Sequence, residues 1–189
     1  LSNVIDGEKK DVVIQNGNIL YQITSTENQK NQKNKNINVS TIDLGECENT
    51  LKGIYNISDS KPLIILKIDY YKQGLLIPII GYEVFHPENK SKLNLDYCKN
   101  NNINVSIPVD IDEDNLFKHD PKSVYYTDQC NPYTTINGTD ILMIDRQNEF
   151  NDNKMSLCEN ACELNDYKYD IKNVVCECII KRKQIEVSE

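Results

Sequence analysis

Tryptophan is absent from this chain, arginine occurs only as Arg146 and Arg182, and histidine only as His86 and His119. Glycine and proline are sparse, at seven and six residues in 189. No Lys/Arg run reaches five residues, and the formal net charge is −8. That balance argues against nucleic acid and against anionic membrane surfaces as partners, because both need clustered positive charge. The longest uninterrupted apolar run, Leu75 to Ile80, is far short of the roughly 18 residues of a spanning helix. No membrane insertion by this segment is expected. No leader peptide is visible, and a chain opening on Leu1 reads as a processed product or a piece of a longer polypeptide.

Catalytic equipment is equally thin. The chain has no Gly-x-Ser-x-Gly elbow, no His-Glu-x-x-His and no phosphate-binding glycine loop. A nucleophile needs a positioned base and a third group to orient it. His86 and His119 both sit beside turn prolines and read as surface residues. Asp110-x-Asp112-x-Asp114-Asn115 begins like a calcium loop, but Asn115 stands where glycine is needed and Pro121 where the bidentate glutamate belongs. Asp140, Asp145 and Glu149 are available as paired carboxylates for glycoside hydrolysis, as such pairs are in any acidic protein. The expectation is no enzyme, no cofactor and no resident metal.

Cysteine is what the chain has in excess: Cys47, Cys98, Cys130, Cys158, Cys162, Cys176 and Cys178. Such usage points to an oxidising compartment or to metal. Seven is odd, so at least one thiol is free or shared with another chain. Cys158-x3-Cys162 followed by Cys176-x-Cys178 is the densest constellation. Residues i and i+4 share a helix face, and i and i+2 share a strand face. A helical turn at Leu157 to Cys162 would thus present two sulfurs to two on a strand, predicting two disulfides between the pairs. Their order, parallel or crossed, stays open. A four-thiolate zinc site is the rival reading, although Cys-x-Cys is an uncommon half of one.

The apolar density peaks between Pro62 and Phe85, read as a core antiparallel hairpin turning at Lys72-Gln73-Gly74. Pro78 cannot donate to a ladder, so its strand is predicted at an edge or bulged there. Upstream, Asp11 to Gln15 and Ile19 to Thr26 flank the turn signal Asn16-Gly17-Asn18. The polar run Glu27 to Asn36 reads as an exposed, mobile loop. Ile37 to Leu44 is a predicted strand and Glu46 to Tyr55 a short amphipathic helix. Leu93, Leu95 and Tyr97 alternate like a strand. Ile103 to Val109 is another, with Ile103, Val105 and Ile107 on one face. Asp110 to Lys122 is acidic and turn-rich. Val124 to Thr127 and Thr139 to Ile144 are predicted short strands. Asn173 to Lys183 is the last, with Val174, Cys176, Cys178 and Ile180 on one face. The fold class is therefore mainly β: an antiparallel β-sandwich with one or two short helices, stapled by disulfides. Residues 1–36 read as an N-terminal arm, hairpin and polar linker, and residues 37–189 as the β-rich domain.

Five Asn-x-Ser/Thr sequons occur, at Asn38, Asn56, Asn89, Asn104 and Asn137. Asn56, Asn89 and Asn137 fall in predicted turns, where an oligosaccharide is tolerated. Asn38 and Asn104 sit at strand starts and would have to face outward. Together with the cysteines, the sequons favour an extracellular or cell-surface location and N-linked glycans. Eleven tyrosines offer rings for sugar stacking, with Tyr125, Tyr126 and Tyr133 nearest turns, though core packing is their plainer role.

The order and spacing of several runs resemble a cysteine-rich module of large predicted surface proteins of unicellular eukaryotes. The likeness runs through Ile42-Asp43-Leu44-Gly45-Glu46-Cys47-Glu48, Lys67-Ile68-Asp69-Tyr70-Tyr71, Gly74-Leu75-Leu76-Ile77-Pro78 and Ile107-Pro108-Val109. It continues through Tyr125-Tyr126 to Cys130, Gly138-Thr139-Asp140, Asp145-Arg146, Glu149-Phe150, Leu157-Cys158-Glu159, Cys162 and Cys176-Glu177-Cys178. It covers roughly residues 20 to 182. The resemblance implies a secreted or surface setting and carries over no catalytic residue. The functional expectation is a structural protein, a building block of a cell-surface coat or extracellular filament. It would self-associate by strand addition, with the Asp11–Thr26 arm reaching a neighbouring subunit. The alternative is an adhesion or carbohydrate-binding module.

Overall fold

The computed structural model describes residues 11–32 and 38–181. Its elements are β1 (Val12–Asn16), β2 (Ile19–Ser25), α1 (Thr26–Gln32), β3 (Thr41–Asp43), α2 (Glu46–Ile54), β4 (Ile64–Tyr70) and β5 (Ile79–Phe85). After a 3-10 helix at Leu95–Cys98 come β6 (Asn102–Pro108), a second 3-10 helix at Glu113–His119, α3 (Val124–Thr127), α4 (Met143–Asp152), β7 (Cys162–Lys168) and β8 (Asn173–Ile179). The strands form two four-stranded sheets, ordered β1-β2-β4-β5 and β3-β6-β8-β7. Every pairing is antiparallel. The expected disulfide-stapled, β-rich fold is thus present, with more helix than expected.

One hydrophobic cluster joins the two sheets. The first sheet contributes Ile65, Ile80 and Val84, and the second Ile103, Val105, Ile107, Val174 and Cys176. The period-two pattern of β6 and β8 aims these side chains inward, as their sequence predicts. The core hairpin is β4–β5, paired from Ile64↔Phe85 to Tyr70↔Ile79. Its connection spans 71–78 rather than three residues. Pro78 has no N–H to offer, so the strand starts one residue later, and among the described residues β5 lies at a sheet edge, as Pro78 suggested. Gly74 has φ +82°, the left-handed conformation expected of it.

The N-terminal hairpin does not stand apart from the core. β2 pairs with β4 along its whole length, from Ile19↔Tyr70 to Ser25↔Ile64. Gln22 and Thr24 are buried there. Asp11 ties the corner down: its carboxylate accepts from Gln22 Nε2 at 2.7 Å, Gln32 Nε2 at 2.7 Å and Asn28 Nδ2 at 2.9 Å.

Several expectations are corrected. The first part of the polar loop is α1, and residues 33–37 lie outside the described residues. Ser25 Oγ accepts from Asn28 N in the first turn. Gln29, only 1% exposed, receives Ile42 N on its Oε1 and gives its amide to Thr24 Oγ1. A polar side chain with its hydrogen bonds satisfied thus replaces the apolar anchor that the pattern lacks. The expected strand from Ile37 to Leu44 shortens to β3. Leu95–Cys98 is a 3-10 helix, begun by Asn94 accepting from Asp96 N and tied at Cys98 to Cys47 in α2. Val124–Thr127 is a helical turn, which lets the consecutive rings of Tyr125 and Tyr126 enter one aromatic cluster. Thr139–Ile144 is no strand: an isolated bridge joins Thr134 to Asp140, and α4 begins at Met143. Leu157–Cys162 is a bend. Cys162 already belongs to β7, which fills the edge of β8 in register at Cys162↔Cys178.

Candidate functional site

The cysteine-rich end is laced by Cys158–Cys176 and Cys162–Cys178. The lacing between the two pairs is as expected, in first-to-first order, although Cys162 comes from a strand. All four sulfurs are consumed, which removes the four-thiolate zinc alternative. Cys47–Cys98 clips α2 to the 3-10 helix beside it, and Cys130 is the free, exposed cysteine.

The other expected site residues scatter. His86 Nδ1 accepts from Glu88 N, and His119 Nδ1 lies 2.7 Å from Met155 O, so both rings hold turns in place. Asp112 caps the 3-10 helix at Asp114 N, and Asp110 pairs with Lys172 at 2.6 Å. The acidic run is thus spent on local structure. Asp145 and Glu149 lie exposed on α4, with Asp140 exposed before it. Of the sequons, Asn38, Asn56, Asn89 and Asn137 are exposed. Asn104 lies within β6, between Asp43 of β3 and Glu177 of β8, and its Oδ1 is buried with no partner.

A polar constellation absent from the sequence reading lies between the sheets. Lys67, Asp69 and Ser40 are each 0% exposed. Lys67 Nζ donates to the Ser40 carbonyl, to Ser40 Oγ at 2.8 Å and to Asp69 Oδ2 at 3.3 Å; Ser40 Oγ donates to Asp69 Oδ1 at 2.7 Å. Burial pushes the Lys67 amine below its ordinary range, against the attraction of Asp69. A serine beside a depressed lysine has the parts of a nucleophile and its base. Closed on every side, however, it has nowhere to receive a substrate. The signal for it was the inward period of β4, which runs Ile65, Lys67, Asp69.

An open cleft lies where α3, the 128–133 loop and the N-terminus of α4 meet. Arg146, on the first turn of α4, is 2% exposed. Its guanidinium carbon sits 5.2 Å from the Tyr125 ring and 5.2 Å from the Tyr133 ring, and Nη1 donates to Tyr125 O at 2.8 Å. Nε is buried without a partner. Gln147 Nε2 takes the Tyr126 carbonyl at 2.9 Å, so α4 holds both residues of the α3 turn. Tyr125 packs edge-on to Tyr126 at 4.7 Å and to Tyr133 at 4.5 Å. Tyr126 donates to Lys118 O at 2.7 Å and packs on Phe150. Burial, reinforced by Tyr125 and Glu149, pushes its phenol up to about 12.

Packing, the plainer role expected of the tyrosines, is the one this network gives Tyr125 and Tyr126. Tyr125 and Tyr126 are 3% and 4% exposed, and Tyr133 is stacked on Phe117. Tyr125 and Tyr126 present no free face to a sugar, and Tyr133 is half-buried. Beside them opens a cleft of about 460 Å³, lined by Cys130, Pro132, Tyr133, Asp140, Leu142 and Arg146 among others. The chain matches no family model, no curated protein and no solved structure.

Proposed function

We propose that this chain is a secreted, N-glycosylated structural domain, a building block of a cell-surface coat or extracellular filament that self-associates through β1. The observation that carries this reading is the character of that strand. β1 is the outermost strand of its sheet among the described residues, pairing only with β2. Its sequence is Val-Val-Ile-Gln-Asn, with Val13 49% and Ile14 58% exposed. Edge strands are ordinarily blunted by lysine, proline or a bulge, and β1 has none of these. The opposite edge does: Pro78 precedes β5, and Lys92 bridges Phe85 and pairs with Glu83.

Two copies of β1 set antiparallel about Ile14 bring no like charges together. The outward N–H and C=O groups of each, which pair with no described strand, then meet across a two-fold axis. Because the hairpin is seated on its own β4, strand addition proceeds edge to edge and not by exchange of an arm. A two-fold contact alone closes at a dimer. The outer face of the same sheet supplies a second contact. Ile14, Tyr21, Ile23, Leu66, Ile68 and Phe85 share that face, partly or largely exposed and outside the core cluster. Three disulfides in one small domain fit an oxidising, extracellular setting.

The test is sedimentation velocity of the oxidised protein over a wide concentration range. The expected result is a species heavier than the 21.8 kDa chain that Ile14→Lys returns to monomer with an unchanged near-UV spectrum. A monomer at every concentration removes the assembly reading. The second reading, an adhesion or carbohydrate-binding module, draws its support from the cleft beside Arg146 rather than from the tyrosine faces.

A further inference from the structure

We infer that the cleft at the N-terminus of α4 binds a small oxyanion-bearing ligand, carboxylate or sulfate in chemistry, with Arg146 as its counter-charge. The inference is independent of self-association through β1.

The first observation is an uncompensated buried cation. The Arg146 guanidinium makes no ion pair with any described carboxylate, and its one hydrogen bond among the described residues goes to the Tyr125 carbonyl. Burying a charge without a partner is among the costliest arrangements in a protein. The flanking tyrosine rings recover part of that cost through their π faces. They leave the net positive charge in place on the wall of an open cleft.

The second observation is the helix start itself. Leu142 stands at the N-cap with no side-chain capping bond, and α4 runs ten residues. Among the first-turn amides, Asp145 N and Arg146 N both return to Leu142 O, at 3.0 and 3.1 Å. Met143 and Ile144, whose amides precede those, line the same cleft. The positive end of the helix dipole and a charged guanidinium therefore converge on one volume. About 460 Å³ suits a small molecule. Pro132, Ile141 and Leu142 supply an apolar wall for its carbon skeleton.

Asp145 in the first turn of α4 and Glu149 one turn on add negative charge nearby, and one group of the cleft lining itself opposes an anion. Asp140 lines the cleft and is exposed. Its carboxylate sets a selectivity: a neutral sugar gains nothing from Arg146, while an anion must outweigh Asp140. Removing that charge therefore strengthens binding.

The experiment is a titration of the intact, oxidised chain, followed by the amide resonances of Tyr133 and Ile144. The probes are sodium sulfate, sodium glucuronate and glucose, at ionic strength held with sodium chloride. Saturable shifts with sulfate or glucuronate, and none with glucose, are expected. Tighter glucuronate binding identifies an acidic sugar as the ligand class, and sulfate binding alone an inorganic oxyanion. Asp140→Asn, an exposed change that leaves the fold alone, is expected to tighten binding. Arg146→Gln is expected to weaken it by about tenfold or more, the worth of one charge-assisted contact. Arg146→Lys keeps the charge and guards against a folding defect. Two outcomes overturn the inference: no saturation well past millimolar probe, or equal binding by a folded Arg146→Gln. Neither outcome touches the assembly reading, which the state of Ile14→Lys decides.

Discussion

Lys67 Nζ stands 3.3 Å from Asp69 Oδ2, two residues along the same strand, and neither side chain has any solvent-exposed surface. The pair is flanked across the sheet by Gln22 and Tyr82, the neighbours of Lys67 on β2 and β4's other side, β5. It is a dry ion pair whose remaining valences Ser40 fills. Breaking such a pair leaves an orphan charge, whereas replacing both members with apolar groups removes the desolvation cost as well. Asp69→Ala should therefore lower unfolding stability by about 3–5 kcal/mol. Lys67→Met combined with Asp69→Leu should fall much closer to the native chain. Urea unfolding of the two variants checks this. A double variant as unstable as the single one would show that the pair's geometry, not its charge, holds the sheets in place.

The disulfides lead to a graded expectation. Cys47–Cys98 spans 51 residues, against 18 for Cys158–Cys176 and 16 for Cys162–Cys178. In the chain-entropy model the longest loop gains about 4 kcal/mol and the shorter ones about 3 kcal/mol each. Removing Cys47 and Cys98 together should thus cost most. Cys130→Ser, at an exposed and unpaired position, should change stability by no more than about 0.5 kcal/mol. Thiol titration of the native chain should find one reactive group, and Cys130→Ser should abolish it.

Much of the strand content was legible because side chains alternate there. Ile103, Val105 and Ile107 in β6, and Val174, Cys176 and Cys178 in β8, announce both their element and their inward face. Where the buried partner is polar, the pattern is silent. α1 hides its inward contact in Gln29, so its sequence reads as a solvated loop. β7 carries a register shift between Leu164 and Asp166 that interrupts its period. The site was legible only in pieces. Cys130, Tyr133 and Asp140 stood out one by one. That Arg146 is buried follows from the α3 turn bringing Tyr125 beside Tyr133, a tertiary fact with no local period to reveal it.

Glu48 links stability to pH. Burial works to raise its pKa, but hydrogen bonds from Lys30, Lys52 and Thr26 prevail, and the carboxyl sits below its ordinary 4.5. Lys52 Nζ lies at 2.9 Å and Lys30 Nζ at 2.7 Å. A carboxylate depressed in the folded state contributes stability above its unfolded pKa and loses it as pH falls through the folded value. The stability difference between the native chain and Glu48→Gln should therefore be full at neutral pH. It should shrink as pH drops below 4.5. Paired urea titrations at neutral and strongly acidic pH measure it. A difference that does not change with pH would mean Glu48 acts by shape alone.

The sequons separate by geometry, and their occupancy bears directly on secretion. Asn137 lies in an exposed turn: Gly138 has φ +77° and donates to Thr135 O, and Ile136 beside it is fully exposed. An oligosaccharide there meets only solvent. Asn104 is the opposite case. Its Oδ1 is buried, and strands flank it on both sides, so a glycan on its amide would have to displace neighbours in the sheet. Expression through a secretory pathway, followed by glycopeptide mapping, should find Asn137 occupied and Asn104 bare. Asn137→Gln should then remove one glycan's mass without loss of fold, while Asn104→Gln should leave the mass of the glycans unchanged. If Asn104 proves occupied and Asn137 empty, exposure in the folded domain is not what selects the sites, and modification must precede closure of β6 between β3 and β8. If no sequon is occupied in a chain that nonetheless forms its three disulfides, the sequons cease to support a glycoprotein, and the case for secretion rests on the cysteines alone.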